Sequence, residues 1–175
     1  MTDDLVVLVD TDGTPIGSAP RDSVHTTDTP LHLAFSCHLV DNRGRMLLTR
    51  RALTKVTWPG VWTNAFCGHP RPDELNVDAV RRRARQELGV EIRGIRPLIP
   101  EFRYRAVDAS GVVEQEICPV FIAEIDGELN PNPDEVMEWA WADVAEVRRA
   151  VTSTPFVFSP WLVEQLKQWP RDPVG

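Results

Sequence analysis

The amino-acid sequence predicts an α+β fold in which separate helices lie over a mixed sheet. Three observations predict it: segments of alternating hydrophobicity joined by tight turns, helical spacing confined to separate stretches, and no repeat or low-complexity linker dividing the 175 residues. One domain, spanning 1–175, is therefore expected. A content of 42% hydrophobic and 26% charged residues belongs to a globular chain with a core rather than to a disordered one.

The first strand is Leu5 to Val9, ended by the turn Thr11-Asp12-Gly13. Residues 31–40 alternate, with Leu31, Leu33, Phe35, Cys37 and Leu39 on one face. His32, Ala34, Ser36, His38 and Val40 fall on the other. The turn Asp41-Asn42-Arg43-Gly44 leads into a strand from Met46 to Arg50 and completes a hairpin. Residues 53–75 hold Trp58-Pro59-Gly60, Gly68, Pro70 and Pro72, and read as loop with short extended pieces. Val77, Val80, Ala84 and Leu88 share one helical stripe, and Gly89 is placed for a left-handed stop. Phe102 to Val107 and Val112 to Ile125 read as a second hairpin through Asp108-Ala109-Ser110-Gly111. A strand from Glu138 to Trp141 precedes a helix from Asp143 to Val151. The last helix opens on Ser159 as N-cap with Pro160 in its first turn, and runs to Trp169.

A net charge of −7 disfavours nucleic acid and anionic lipid surfaces as partners, since both repel it at long range. Basic residues are mostly arginine, which suits bidentate recognition of phosphate. Cys37, Cys67 and Cys118 are odd in number and widely spaced, so no disulfide framework is implied. No apolar run spans a bilayer, and the start Met-Thr-Asp-Asp lacks the basic and apolar regions of a signal peptide. A cytoplasmic location is the expectation.

His25, His32 and His69 each stand near other candidate ligands, and His69 follows Cys67-Gly68 in a glycine- and proline-rich loop. Glu114 and Glu116 alternate on one strand and project from the same face, roughly 7 Å apart, a costly arrangement unless a cation or proton lies between them. Three imidazoles and two carboxylates would suit Zn²⁺, Mn²⁺ or Mg²⁺. Unrelated surface histidines beside a solvated acidic strand explain the same spacing, and both readings stay open at this point. His38 lies about 20 Å along the strand from His32, too far to share its metal, and is expected to be structural or exposed.

Gly68, Glu74, Arg82, Glu87, Gly89 and Val90 match the spacing of a Nudix box, a glycine loop entering a helix that carries metal-binding carboxylates. Two of the box's acids are replaced by Arg83 and Gln86, leaving Glu87 in the last turn. Thr63-Asn64-Ala65-Phe66-Cys67-Gly68-His69-Pro70 resembles the cysteine motif of type I isopentenyl-diphosphate isomerases. Glu114-Gln115-Glu116-Ile117-Cys118-Pro119-Val120-Phe121 resembles their second signature. Leu31 to Ser36, Arg50 to Pro59, Phe102 to Arg105 and Phe158 to Trp161 are similar in the family's order, so the resemblance covers about residues 5–165.

The resemblance implies a Nudix-like mixed-sheet sandwich flanked by helices. It implies conversion of isopentenyl diphosphate to dimethylallyl diphosphate by protonation and deprotonation through a carbocation-like state. It places a first metal on His25, His32, His69, Glu114 and Glu116, and a Mg²⁺ arriving with the diphosphate on Glu87 and the Cys67 backbone carbonyl. Cys67 and Glu116, assisted by Tyr104, become the catalytic groups, and Trp161 the aromatic face beside the reacting carbons. Arg51, Lys55 and Arg83 would hold the diphosphate, with Arg21 standing where the family has lysine. No flavin or nucleotide is implied, and a monomer or weak dimer is expected. In the N-terminal segment, 1–30, ordering by metal or substrate is a further expectation. Two other readings remain, a Nudix-type diphosphate hydrolase and a non-catalytic metal-binding module. The replaced acids weigh against the first, and Tyr104, Trp161 and the cations against the second.

Overall fold

The computed structural model describes residues 4–170. β1 (Leu5–Val9) pairs antiparallel with β2 (Pro15–Pro20), and a single helical turn, α1 (Arg21–Val24), delivers the chain to His25. Next come β3 (His32–Leu33), β4 (Phe35–Val40), β5 (Met46–Arg51), the short strands β6 (Trp62–Thr63) and β7 (Phe66–Gly68), and helix α2 (Asn76–Leu88). Strands β8 (Glu91–Ile99), β9 (Arg103–Val107), β10 (Val113–Ile117), β11 (Val120–Asp126) and β12 (Val136–Ala142) follow. Helices α3 (Val144–Ser153) and α4 (Pro160–Lys167) end the described chain, so the last helix stops short of Trp169. One sheet runs β2-β1-β3-β10-β9, and the other β12-β5-β4-β11-β8 with β6 and β7 added on β5 and β4.

Two predicted strands are each divided between the sheets. Residues 31–40 form β3 and β4, because the chain changes sheet at Ala34, whose N–H donates to the Ile117 carbonyl at 2.9 Å. Residues 112–125 break at Cys118-Pro119, where proline has no N–H for a ladder. The two breaks match: β3 lies parallel to β10 in the first sheet, and β4 lies parallel to β11 in the second. The expected hairpin of residues 31–40 with Met46 contributes only the pair Val40–Met46, and β5 pairs along its length with β12 instead. The β9–β10 hairpin forms as predicted. Strands β2 and β8 were not expected. Both are sheet edges, where Pro15, Pro20 and Pro97 are tolerated and the alternating pattern is lost.

The alternation from Ala34 through β4 feeds two cores. Phe35, Cys37 and Leu39 pack with Val80, Ala84 and Leu88 of α2, while Ala34 packs among Val147 of α3 and Trp161, Leu162 and Leu166 of α4. The second sheet is thus covered by helices on both faces. Each fully buried leucine, such as Leu88 or Leu162, contributes about 1.5–3 kcal/mol. Gly89 ends α2 at φ 60°, its N–H returning to the Arg85 carbonyl at 3.1 Å. Ser159 caps α4 by accepting from the Leu162 N–H at 3.3 Å.

Candidate active site and metal centre

Strand register builds the centre of the site. On β10, Glu116 stands opposite His32 of β3 on one side and Tyr104 of β9 on the other. Glu114, two residues away, shares its face. His25 arrives from the end of α1 and His69 from the chain just after β7. The imidazole centroids are 5.1–5.5 Å apart. One donor atom from each of His25, His32, His69 and Glu116 falls within 4.8 Å of the others. Glu114 joins through His25, whose Nε2 is 3.2 Å from Glu114 Oε2, and its other oxygen accepts from the Thr57 hydroxyl at 2.8 Å.

The cluster has the chemistry of a cation site. Nδ1–H of His32 donates to the Pro30 carbonyl at 2.9 Å, which turns Nε2 toward Glu116 Oε1 at 3.4 Å; burial would lower this imidazole, but the bond to Glu116 and its charge outweigh that and raise it, favouring a proton between the two wherever a metal does not lie there. Lone pair facing carboxylate is repulsive unless a proton or metal intervenes. His25 Nε2 is likewise buried without an oriented hydrogen bond among the described residues. Burial takes the His69 imidazole down to about 4, in its neutral, ligand-competent form. Burial would raise the Glu116 carboxyl, but the imidazoles of His32 and His69 outweigh it and hold it well below the usual range. Burial and the charge of Glu116 push Glu114 up.

These residues open onto a cavity of about 640 Å³. Every site residue expected from the sequence lines it except His32, which is fully buried. Cys67, on β7, lies with its sulfur 3.3 Å from the Ser36 hydroxyl and 3.4 Å from Asn64 Oδ1. Burial pushes its thiol up to about 12, so it is protonated at neutral pH. Cys37 and Cys118 are buried in the cores. Tyr104 stacks on Phe102 and packs against Trp161, each at 5.8 Å between centroids, and burial lifts its phenol well above the usual range. Trp161 also meets Trp58 edge-on at 5.3 Å.

The cations of the cavity are mostly paired. Arg51 donates to the Thr57 and Trp58 carbonyls at 2.8 and 3.2 Å and sets its guanidinium 5.4 Å from the Trp161 ring centre. Lys55 pairs with Glu135, Arg21 with Asp4 at 2.7 Å, and Arg83 with Glu87 and, at 3.4 Å, with Glu135. Gly68 makes room for this: a Cβ there would lie 2.7 Å from Arg83 Cγ and 2.8 Å from the Phe35 ring, so β7 and α2 approach closely only with glycine. Arg83 thus occupies, beside Glu87, the position of a lost box acid.

Sequence reasoning missed Asn64 and Glu135. The Asn64 amide donates to the Cys37 and Phe66 carbonyls at 3.0 and 2.7 Å, fixing its oxygen toward Trp161 and Cys67. Its only signal is its place in the cysteine motif, since a lone amide in a loop has no periodicity. His38, fully buried and bonded to Gln165 at 2.9 Å, is structural as one of the two expectations had it.

A Nudix-type fold that carries a histidine–glutamate cluster in place of the box acids is the class these features define. Residues 30–162 match the NUDIX domain family, and DR0079 from Deinococcus radiodurans has the same fold, with a TM-score of 0.74 at 18% identity, covering 95% of this chain and 99% of that one. The MutT protein from Methanosarcina mazei Go1 follows at TM-score 0.64 and 17% identity, covering 83% and 97%. The chain belongs to the isopentenyl-diphosphate Delta-isomerase family. It is 59% identical over 163 residues to the curated enzyme of that name from Clavibacter michiganensis subsp. michiganensis, covering 93% of this chain and 84% of the relative. The relative from Paenarthrobacter aurescens is 58% identical over 165 residues, covering 94% and 90%. That from Corynebacterium glutamicum ATCC 13032 is 56% identical over 168 residues, covering 93% and 89%.

Proposed function

We propose that this chain converts isopentenyl diphosphate to dimethylallyl diphosphate, moving a carbon–carbon double bond without redox chemistry. The observation that carries the reading is one cavity lined by Cys67, Glu116, Tyr104 and Trp161 together with Arg51 and Lys55. A proton added to the terminal alkene carbon leaves a tertiary, carbocation-like centre. Loss of a proton from the neighbouring methylene then forms the new double bond, so one proton enters and one leaves. Cys67 and Glu116 act from opposite faces of the substrate, each giving or taking one of these protons, so the substrate need not turn over. Tyr104, opposite Glu116 in the strand register, holds or relays the proton on that side. The indole of Trp161 stabilises the developing cation by about 2 kcal/mol once water is excluded.

His25, His32, His69, Glu114 and Glu116 would hold Zn²⁺, Mn²⁺ or Mg²⁺, and Glu87 with the Cys67 carbonyl a Mg²⁺ that comes with the diphosphate. When bound, the first fixes the Glu116 carboxylate and sets its proton affinity, and the second neutralises diphosphate charge. Arg51, Lys55, Arg83 and Arg21 bind the diphosphate, exchanging their carboxylate and carbonyl partners for phosphate oxygens. No helix among the described residues is long and apolar enough to cross a membrane. The chain is read as a single cytoplasmic unit, a monomer or weak dimer, with no nucleic-acid or membrane partner; of the segment 1–30, residues 1–3 lie outside the described residues, and residues 4–30 are read as ordered by metal or substrate. The test is incubation of the purified protein with isopentenyl diphosphate and Mg²⁺. Dimethylallyl diphosphate is the expected product. Release of phosphate would support a hydrolase, and no reaction a metal-binding module.

A further inference from the structure

Behind Cys67, away from the cavity, three buried polar side chains connect the site to the far core. Ser36, His38 and Gln165 are each fully buried. Gln165 Nε2 lies 2.8 Å from Ser36 Oγ, its Oε1 lies 2.9 Å from His38 Nε2, and Ser36 Oγ lies 3.3 Å from Cys67 Sγ. Buried polar groups cost stability unless they are mutually satisfied, and an apolar trio would fill this core more cheaply.

We infer that His38, Gln165 and Ser36 form a one-way hydrogen-bond chain that ends by donating to the Cys67 sulfur and positions the thiol for proton transfer. The inference rests on the isomerase reading above. Direction starts at His38. Its Nδ1 has no hydrogen-bond partner among the described residues, so a proton there would be an orphaned buried N–H. The proton belongs on Nε2, where it donates to Gln165 Oε1. The Gln165 amide is then fixed with its nitrogen toward Ser36, to which it donates. Ser36 has one hydrogen left to give, and its remaining neighbours are sulfurs: Cys67 at 3.3 Å and Cys118 at 3.5 Å.

A sulfur that accepts from Ser36 keeps its own hydrogen off that oxygen. The other neighbour of the thiol, Asn64 Oδ1, already accepts from the Thr63 hydroxyl at 2.9 Å and the Trp161 indole at 3.0 Å. Two lone pairs are thereby used, so the Cys67 hydrogen is loosely held at 3.4 Å and free to turn toward substrate. Ser36, Gln165 and His38 touch no substrate and act only through this sulfur; they are positioning residues.

The test is a double-mutant cycle on isomerase turnover. Gln165→Met should lower kcat roughly 10-fold and leave KM unchanged, because the diphosphate-facing cations are untouched. In Ser36→Ala protein, where the chain is already cut, the same change should lower kcat no further. Equal losses in both backgrounds, a loss confined to KM, or no loss would overturn the chain. Should Gln165→Met not fold, His38→Phe, which keeps the packing against Trp169, is put through the same cycle with the same outcomes. A second measurement needs no turnover: ¹⁵N NMR of the purified wild-type chain at neutral pH should show His38 protonated at Nε2 and bare at Nδ1. The opposite tautomer would overturn the direction, whereas an inactive wild type would sink only the isomerase reading.

Discussion

The Trp161 indole N–H donates to Asn64 Oδ1 at 3.0 Å, and the same oxygen faces the Cys67 thiol at 3.4 Å. One buried amide therefore fixes both the aromatic face and the thiol proposed to act on the same substrate. Asn64→Ala would orphan the Cys37 and Phe66 carbonyls as well as the indole. Stability should fall by at least about 3 kcal/mol, since each of the three buried orphans costs about 1–3 kcal/mol. Urea unfolding measures it, and a change within error would show that these bonds are replaced by others.

His69→Ala should lose tightly bound metal and nearly all turnover, while the sheet that carries His32 and Glu116 remains folded. Metal analysis after gel filtration, beside circular dichroism, decides this. A fully metallated and active variant would remove the His/Glu metal centre from the account. Chelator treatment of the wild type should abolish activity and added metal restore it.

Glu87→Gln should weaken the response to added Mg²⁺ and substrate but leave metal at the His/Glu cluster. Lys55→Ala and Arg51→Ala should chiefly raise KM, because the diphosphate is held in both ground and transition states. Wild-type Mg²⁺ dependence in the Glu87 variant would reduce that residue to an ion-pair partner of Arg83.

Cys67→Ala should lower turnover at least ~10²-fold, the lower range for a lost general acid or base. Folding and metal content should hold, since only the backbone of Cys67 is proposed to touch a metal. In D₂O the variant should stop incorporating deuterium on one side of the substrate and keep it on the side served by Glu116. Unchanged incorporation at every position would make the thiol a bystander.

His38 gives the fold a pH dependence of its own. Burial lowers its imidazole from 6.5 to about 4, against a smaller opposing effect of the Gln165 bond. Above pH 6.5 the ring is neutral in both states and nothing is lost. Between 6.5 and about 4 the unfolded chain takes up a proton that the folded one refuses, so stability falls as pH falls, by up to about 3 kcal/mol. Denaturant unfolding of wild type and His38→Phe from pH 7 to 4 reads the difference. Parallel curves would place the pH sensitivity elsewhere.

Much of the fold was legible because helices and turns announce themselves locally. The stripe Val77, Val80, Ala84, Leu88 and the stop at Gly89 give α2 within a residue, and Ser159-Pro160 gives the start of α4. The sheet changes at Ala34 and Pro119 were hidden, since alternation continues through a strand that trades one set of partners for another. The candidate metal ligands were legible as residue types, and the resemblance supplied their grouping. The pairing of Arg83 with Glu87 and Glu135 was not, because Glu135 comes from a loop with no pattern to mark it. Asn64 was hidden for the same reason.

The row Tyr104–Glu116–His32 is set by backbone register, and that has a consequence for how this stretch tolerates changes of length. Side chains of β10 alternate faces, so with the β9–β10 turn held, one residue inserted between Gly111 and Glu114 would turn both Glu114 and Glu116 away from the histidines. Two residues would restore the face but seat the wrong carboxylate opposite His32. Loop residues 127–135, between β11 and β12, carry no such row, and Glu135 reaches its partners through a side chain. Insertion scanning should therefore find the stretch from Gly111 to Glu114 closed to any change in length, while the exposed tip near Gly127 and Glu128 accepts extra residues.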